Sequence, residues 1–245
     1  IKDVPPPFRG KELSKTVAIV PAAGAGVRMG GVRAKQFLHL EDRPILAVTL
    51  GVLQNCRMVD AIVLVVPLKD VGYCQKEIVD KFAISKVVKV VPGGKLRQDS
   101  VRLGLEAVNG RHDLVLIHDG VRPMIEPGLV EAVIQTAAKH RAAIAALPAK
   151  DTVKEVNNHQ VTATYDRTKV WMVQTPQAFY YDDILKAHRE ALASGLTEAT
   201  DDALLIEKLG IPVRVVEGSE DNIKVTTPHD LALAQFLLRL KQSVK

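Results

Sequence analysis

Short, mostly apolar runs rich in Val, Ile, Leu and Ala recur along this chain at 17–20, 61–66, 86–91, 114–118, 142–147 and 213–216, separated by amphipathic stretches. That alternation constrains the fold more than any other feature. A run such as Ala61-Ile-Val-Leu-Val-Val66 has no polar face. A strand of this kind must be covered on both sides, as in a parallel sheet whose crossover helices pack on its two faces. The intervening stretches at 44–55, 71–82, 99–108, 127–140, 182–194 and 201–209 carry apolar residues at helical spacing. A last helix is expected at 228–240, with Pro228 at its start and Leu231, Ala234 and Leu238 on one stripe. The expected fold is α/β, a mostly parallel twisted sheet with helices on both faces.

One segment breaks the alternation. From 149 to 169 the chain is polar and β-branched, with Asp151-Thr152-Val-Lys154, Asn157-Asn158 and Val161-Thr-Ala-Thr-Tyr165. Asn157-Asn158 stands where a hairpin would turn, so a two-stranded β-arm is expected to project. Such a ribbon is marginal alone and calls for a partner surface. Residues 1–15 contain Pro5-Pro-Pro7 and mixed charges without the apolar core of a signal peptide. They are expected to form a loose arm, and the start at Ile1 suggests a trimmed end. The remainder, 16–245, is expected to form one domain.

Composition excludes several classes of function. Net charge is +5, but the basic residues are scattered and aromatics make up only 4%. A nucleic-acid surface wants a basic stripe or stacking aromatics, so small anionic substrates are the better expectation. No apolar run reaches the roughly 18 residues of a membrane span. Cys56 and Cys74 form no Cys-x-x-Cys pair, and the seven histidines show no metal-ligand spacing. Both thiols are expected to be reduced, in a reducing compartment.

In an open parallel sheet, ligands bind beyond the carboxyl ends of the strands. The first run ends in Pro21-Ala22-Ala23-Gly24-Ala-Gly26-Val-Arg28, with Lys35 a few residues on. Small residues let a ligand approach the backbone N–H groups, which can bind phosphate oxygens, and two cations add charge. Gly24-x-Gly26 lacks the third glycine of a dinucleotide fingerprint, and no Gly-Lys-Ser/Thr of a P-loop follows. The third run leads into Pro92-Gly93-Gly94-Lys-Leu-Arg97-Gln-Asp99-Ser100, a glycine turn opening a helix that Asp99 or Ser100 would cap. The fourth leads into His118-Asp119-Gly-Val-Arg122. Asp119 is placed to bind Mg²⁺ or a substrate hydroxyl, whereas His118 reads as a packed strand-end histidine. Asp201-Asp202 reads as a helix N-terminus, and Thr175-Pro176 as a turn.

The strand ends therefore collect Arg28, Lys35, Arg97, Arg122 and Lys224 around one carboxylate, a set that suits a polyphosphate. No Gly-x-Ser-x-Gly of a hydrolase occurs. Phosphoryl and nucleotidyl transfer depend on positioning and charge neutralisation. A phosphate nucleophile, with a second pKa of about 6, needs no general base.

Pro21-Ala-Ala-Gly-x-Gly-x-Arg28-Met, Lys35-Gln, Gly94-x-x-Arg97-x-x-Ser100-Val, His118-Asp119-x-x-Arg122-Pro, Asp151-Thr152, Arg167, Gln174-Thr175-Pro176-Gln and Asp221-Asn-Ile-Lys224-Val-Thr follow in order. As a set they closely resemble the 2-C-methyl-D-erythritol 4-phosphate cytidylyltransferases of the non-mevalonate isoprenoid pathway, over about residues 16 to 240. The resemblance implies a Rossmann-like nucleotidyltransferase fold and a homodimer formed through the arm. It implies that CTP and methylerythritol phosphate give the CDP-alcohol and pyrophosphate, with Mg²⁺ as cofactor through ligands not specified. Carried over by motif, Arg28 and Lys35 stabilise charge on the α-phosphate and leaving pyrophosphate, while Arg167 and Lys224 align the incoming phosphate. Pro21, Ala22, Ala23, Gly24, Gly26, Gly93, Gly94, Arg97 and Ser100 hold the cytidine nucleotide. Asp119, Arg122, Thr152 and Thr175 hold the polyol phosphate, with Thr152 and Arg167 supplied by the neighbouring subunit. The implied compartment is the cytoplasm of a bacterium, or the plastid stroma in a photosynthetic eukaryote. Ala34, before Lys35, and Gly120-Val121 depart from the commoner family residues.

Ribitol-5-phosphate cytidylyltransferases share the chemistry, but their first motif more often reads Leu-Ala-Gly-Gly where this chain has Pro21-Ala-Ala-Gly. A non-catalytic nucleotide-binding module is the other alternative, and Arg28, Lys35 and Lys224 count against it.

Overall fold

A computed structural model of the chain describes residues 15–24, 34–110, 112–197 and 199–243. The expected N-terminal arm therefore lies, but for its last residue, outside the described residues. In chain order the elements are β1 (Thr16–Pro21), β2 (His39–Leu40), β3 (Arg43–Pro44), α1 (Ile45–Asn55), β4 (Ala61–Val66), α2 (Val71–Tyr73), β5 (Val87–Pro92) and α3 (Arg97–Glu106). There follow β6 (Leu114–Ile117), α4 (Pro127–His140), β7 (Ala142–Pro148), β8 (Lys154–Asn157), β9 (Gln160–Thr164), β10 (Trp171–Tyr180), α5 (Tyr181–Ala193), α6 (Ala203–Lys208), β11 (Arg214–Glu217) and α7 (Pro228–Ser243). The helix expected at 71–82 is α2 continued by a wider π-helical stretch, Cys74–Asp80.

Among the described residues, seven strands form one sheet in the order β11-β7-β10-β6-β1-β4-β5. β6 lies at its centre, and β1 beside it runs parallel to β6 on one side and to β4 on the other. Alternate residues of β1 serve opposite faces, as the two-residue period of a strand requires. Ala18 and Val20 pack among Leu46, Leu50 and Leu53 of α1 and Val133 and Ile134 of α4. Val17 and Ile19 pack among Val101 and Leu105 of α3, Ile184 of α5 and Ile206 of α6. Helices cover both faces, which is why the central runs carry no polar residue.

β10 is the strand that the periodicity did not announce. It lies between β6 and β7 and runs antiparallel to both. Thr175-Pro176 reads as a turn because proline lacks the N–H that a central strand needs. Here the pairing to β7 skips from Val173 to Gln177. Pro176 falls inside that break, so its missing donor costs no ladder bond. The hairpin β2–β3 was likewise not expected.

β8 and β9 form a separate antiparallel ribbon. Asn158 and His159 turn it, with φ of 47° and 64°. Two successive positive φ values are those of the tight I′ hairpin turn. The turn thus lies one residue beyond the expected Asn157-Asn158. Val156 and Val161, paired across the ribbon, are both more than half exposed. At its base Met172 and Val173 are exposed as well.

Cys56 and Cys74 are buried free thiols. Burial pushes the Cys74 thiol up to about 12, so it packs as a small hydrophobe. Among the described residues no helix is long and apolar enough to cross a membrane.

Gly104 sits where α3 crosses the sheet. A Cβ there would meet Ile19 Cγ2 at 2.6 Å and Val65 Cγ2 at 2.8 Å. Gly104→Ala gains up to about 1 kcal/mol of helix propensity. Overpacking a core costs about 1–3 kcal/mol, and β-branched neighbours have few rotamers to retreat into. The expected result is a net loss of about 1 kcal/mol, read as a lower urea midpoint with unchanged slope. A midpoint at or above wild type would show that α3 can lift without cost.

Candidate active site

From β1 the chain goes to β4 on one side, and β6 returns on the other, so the strand order reverses between β1 and β6. A cleft at the carboxyl ends is the expected consequence of that reversal. The tips are tied together: the His118 N–H donates to Ile19 O at 3.0 Å and the Gly120 N–H to Pro21 O at 3.2 Å. Beyond them opens a first lobe of about 260 Å³, lined by Pro21, Ala22, Ala23 and Gly24, by Lys35 and Gln36, by Gly94 to Arg97 with Ser100, and by Asp119, Val121 and Lys224. A second lobe of about 340 Å³ lies over Arg122, Gln174, Thr175 and Asp201 and shares Arg97, Asp119 and Lys224 with the first.

Local chemistry explains these placements. Gln36, buried, donates from Nε2 to Ala22 O at 2.8 Å and so pins the turn bearing Lys35 against the tip of β1. At Gly93 a Cβ would meet Ala23 Cβ at 2.5 Å and Ser100 Oγ at 2.7 Å. Only glycine lets the two loops approach so closely. Neither Asp99 nor Ser100 is the helix cap, because α3 already begins at Arg97. Instead Asp99 Oδ2 accepts from the Leu96 N–H at 3.3 Å. Ser100 Oγ accepts from the Gly94 N–H at 3.2 Å and donates to Leu96 O at 3.1 Å. The Ser100 hydroxyl therefore holds the turn.

Asp119 is the centre of the cleft. It is 5% exposed, and its carboxylate meets three cations. Lys224 Nζ is 2.8 Å from Oδ2, Arg97 Nε 3.3 Å from Oδ1, and Arg122 Nε 3.6 Å from Oδ2. Burial by itself raises the carboxyl pKa, but Arg97, Lys224 and Arg122 together overrule it and hold Asp119 far below the usual carboxylate range. Asp119 and Arg122 thus form a buried pair, not a solvated surface one.

The neighbouring polar groups position this cluster. His118 is fully buried; its Nε2–H donates to Arg122 O at 3.2 Å, and Nδ1 accepts from Thr175 Oγ1 at 3.1 Å. Burial lowers its pKa to about 4. It is a packed histidine, as expected, and not a base. Thr175 Oγ1 also accepts from the Asp119 N–H at 3.1 Å, so the residue read as part of a turn braces the segment that follows β6. Asn222, wholly buried, donates from Nδ2 to Thr175 O at 2.8 Å and accepts from Arg122 Nη1 through its backbone carbonyl at 2.7 Å. This ties the segment bearing Lys224 to β10.

Of the residues singled out in the sequence, Pro21, Ala22, Ala23, Gly24, Lys35, Gly94, Arg97, Ser100, Asp119 and Lys224 line one lobe, and Arg122 and Thr175 the other. Gly93 stands just behind its turn. Gly26 and Arg28 lie outside the described residues. Thr152 and Arg167 do not line the cleft of their own chain; both are exposed, and Arg167 Nη1 donates to Lys150 O at 2.8 Å. Asp202 was missed. Asp201 behaves as a helix start, with Oδ1 accepting from the Leu204 N–H at 3.1 Å. Asp202 instead turns inward and pairs with Arg97 Nη1 at 2.8 Å. Two adjacent aspartates cannot both face solvent-side N–H groups, but no local signal in the sequence names the inward partner.

Among the described residues the first lobe sets Lys35, Lys95, Arg97 and Lys224 against the single carboxylate of Asp119. A site of that charge suits an anion. Residues 16–240 match the model of the family described as 2-C-methyl-D-erythritol 4-phosphate cytidylyltransferase. The chain belongs to that family. Proteins of this name from Desulforamulus reducens and Geotalea uraniireducens are similar to it. The first is 47% identical over 228 residues, covering 93% of this chain and 97% of the relative. The second is 46% identical over 227 residues, covering 92% and 97%. The crystal structure of 4-diphosphocytidyl-2C-methyl-D-erythritol synthase from Anaerococcus prevotii matches with a TM-score of 0.80 at 34% identity, over 92% of this chain and 96% of that one. The family fold is the nucleotidyltransferase α/β sheet expected from the sequence.

The cluster makes this cytidylyltransferase-family fold acid-sensitive. Asp119 and Asp202 both have lowered pKa values, Asp202 because Arg97 and His188 outweigh the raising effect of burial. Their contribution is complete above the unfolded carboxylate pKa of about 3.9 and is lost as pH falls towards the folded values. Between about pH 4 and about pH 2, thermal midpoints of the wild type should fall more steeply than those of Asp119→Asn. At pH 7 that variant should be about 3 kcal/mol less stable, because removing one partner leaves buried cations uncompensated. Parallel acid limbs would show that Asp119 carries no linked proton.

Proposed function

We propose that this chain transfers the cytidylyl group of CTP to the phosphate of 2-C-methyl-D-erythritol 4-phosphate, in isoprenoid precursor synthesis. The observation that carries the reading is the meeting of Lys35 and Lys224 in one lobe, beside the glycine turns and Asp119. A phosphate oxygen of the acceptor attacks the α-phosphorus of CTP, the bond to the β-phosphate oxygen breaks, and pyrophosphate leaves with that electron pair. The acceptor phosphate is largely ionised at neutral pH, so no proton need be removed. This agrees with the lining of both lobes, where no histidine stands among the described residues. Lys35, with Arg28, meets charge shifting to the pyrophosphate; Lys224 aligns the acceptor phosphate. The Gly93-Gly94 turn and the loop from Pro21 hold the nucleotide.

No group of three or more acidic, histidine or cysteine side chains able to hold a metal exists among the described residues. The donor set fits a magnesium ion that arrives on the nucleotide, with phosphate oxygens as its main ligands and Asp119 as the carboxylate lining the first lobe. Bound there, the ion would neutralise phosphate charge. The reaction belongs in the cytoplasm of a bacterium, or in the plastid stroma of a photosynthetic eukaryote.

A pyrophosphate-release assay tests the acceptor. Turnover is expected with CTP and methylerythritol phosphate, and kcat/KM lower by roughly 100-fold with ribitol 5-phosphate. Equal or higher efficiency with ribitol 5-phosphate would reassign the substrate, and pyrophosphate release with neither would leave a binding module.

The arm completes the site in a homodimer. Thr152 and Arg167 stand just before and just after the exposed ribbon, away from their own cleft, and the ribbon offers apolar Val156 and Val161 to a partner. A two-fold dimer would place each arm in the other subunit's cleft. Arg167→Ala and Lys35→Ala, each inactive alone, are co-refolded in equal amounts. In a mixed dimer one site receives an intact cleft and an intact arm, while the other has both defects. About half of randomly paired dimers are mixed, so activity should return to roughly a quarter of wild type. No recovery despite demonstrated subunit exchange would rule out sharing.

A further inference from the structure

Behind the cleft a buried pair, Asp202 and His188, that the transfer mechanism does not use connects to the groups that it does. Asp202, at the start of α6, is 1% exposed. His188 on α5, also fully buried, donates from Nε2 to Asp202 Oδ1 at 3.1 Å. Arg97 Nη1 is 2.8 Å from Asp202 Oδ2, and Arg97 Nε is 3.3 Å from Asp119 Oδ1. Lys224 is in turn 2.8 Å from Asp119 Oδ2. The sequence His188–Asp202–Arg97–Asp119–Lys224 thus runs from the core to the floor of both lobes. The planar guanidinium can span two carboxylates because its donors point along different edges.

We propose that Asp202 is a positioning residue for the transfer reaction: from behind the cleft it holds Arg97 across both lobes and so keeps Asp119 and Lys224 in register. The inference rests on the cytidylyl-transfer reading. Asp202 touches no substrate; it acts only through Arg97. Both of its oxygens are engaged, one by His188 and one by Arg97, so its orientation is set by the core. Arg97 therefore stays along the floor of both lobes, held by Asp202 and Asp119, instead of swinging free onto the incoming triphosphate. An arginine released into the first lobe would bind ground-state phosphate as strongly as the transition state, which aids binding without aiding the chemistry. Asp119 would lose the partner that orients one oxygen, and Lys224, paired to the other, would drift. A displacement of about 1 Å in a group that aligns reactants can cost on the order of 100-fold in rate.

The test compares Asp202→Asn, which keeps the shape and removes the charge, with Asp202→Glu, which keeps the charge. Asp202→Asn should lower kcat by roughly 10- to 100-fold while KM for CTP stays level or falls. Asp202→Glu should recover most of the loss. A merely structural aspartate would lower the thermal midpoint of Asp202→Asn yet leave kcat within about twofold at temperatures where the variant is folded; that outcome overturns the proposal, as does a raised KM with unchanged kcat. If Asp202→Asn does not fold, Arg97→Lys tests the same link from the half-buried side, since one ammonium cannot span both carboxylates; kcat should fall with KM for CTP unchanged. Where both fold, the double variant should lose no more than the worse single one, as members of one unit do; multiplied losses would overturn the link. Wild-type protein that releases no pyrophosphate would refute the transfer reading itself, whereas active wild type with unaffected variants refutes only this one.

Discussion

A carboxylate withdrawn from water at the tip of a central strand must find compensating charge or lose its proton. Asp119 finds it in Arg97, Arg122 and Lys224, which come from the start of α3, the loop after β6 and the segment before α7. These three stretches are remote in sequence, and the buried charge is what brings their side chains to one point. The arrangement carries its own cost, since burying ions is expensive even when they are paired. It is sustained by further groups that hold each partner from behind: Asp202 for Arg97, the Asn222 carbonyl for Arg122, and Thr175 for the Asp119 backbone.

This charge excess is also what a polyphosphate needs. A cleft in which cations outnumber carboxylates is strained towards anion binding, and it is preorganised because the cations already converge before any ligand arrives. The chemistry fits the side chains that are missing as well as those present. A reaction whose nucleophile is already ionised leaves no work for a base, and His118 is accordingly buried, lowered in pKa and bonded at both ring nitrogens. The same residue would be a natural candidate base if only its neighbour Asp119 were considered. Its hydrogen bonds, not its place in the chain, decide its role.

How much was legible in the sequence differs by element. β1, β4 and β6 announced themselves because their apolar runs, at 17–20, 61–66 and 114–117, serve two packed faces. The loop from Pro21 and the turn at Gly93-Gly94 were legible because close backbone approach needs small residues. β10 was not, since Pro176 forbids a regular ladder and only the break in pairing between Val173 and Gln177 admits it. The hairpin turn fell on Asn158-His159, one residue late, because asparagine at 157 and at 158 can each take the left-handed conformation and the strand register chooses between them. Asp202 read as an ordinary helix start because its ion partner, Arg97, lies more than a hundred residues away.

The sequence alone therefore determined the α/β class, the strand ends where a ligand would sit, and the set of cations and small residues that suit a nucleotide. These follow from local periodicity, from glycine and proline, and from side-chain chemistry, none of which needs a distant partner. Only the tertiary structure decided which cations pair with Asp119, that Asp202 faces inward, that Thr175 braces the tip of β6, and that Thr152 and Arg167 stand clear of their own cleft. Those outcomes depend on which strands become neighbours. Strand adjacency is set by the global packing of both helical layers, so no window of the chain contains it.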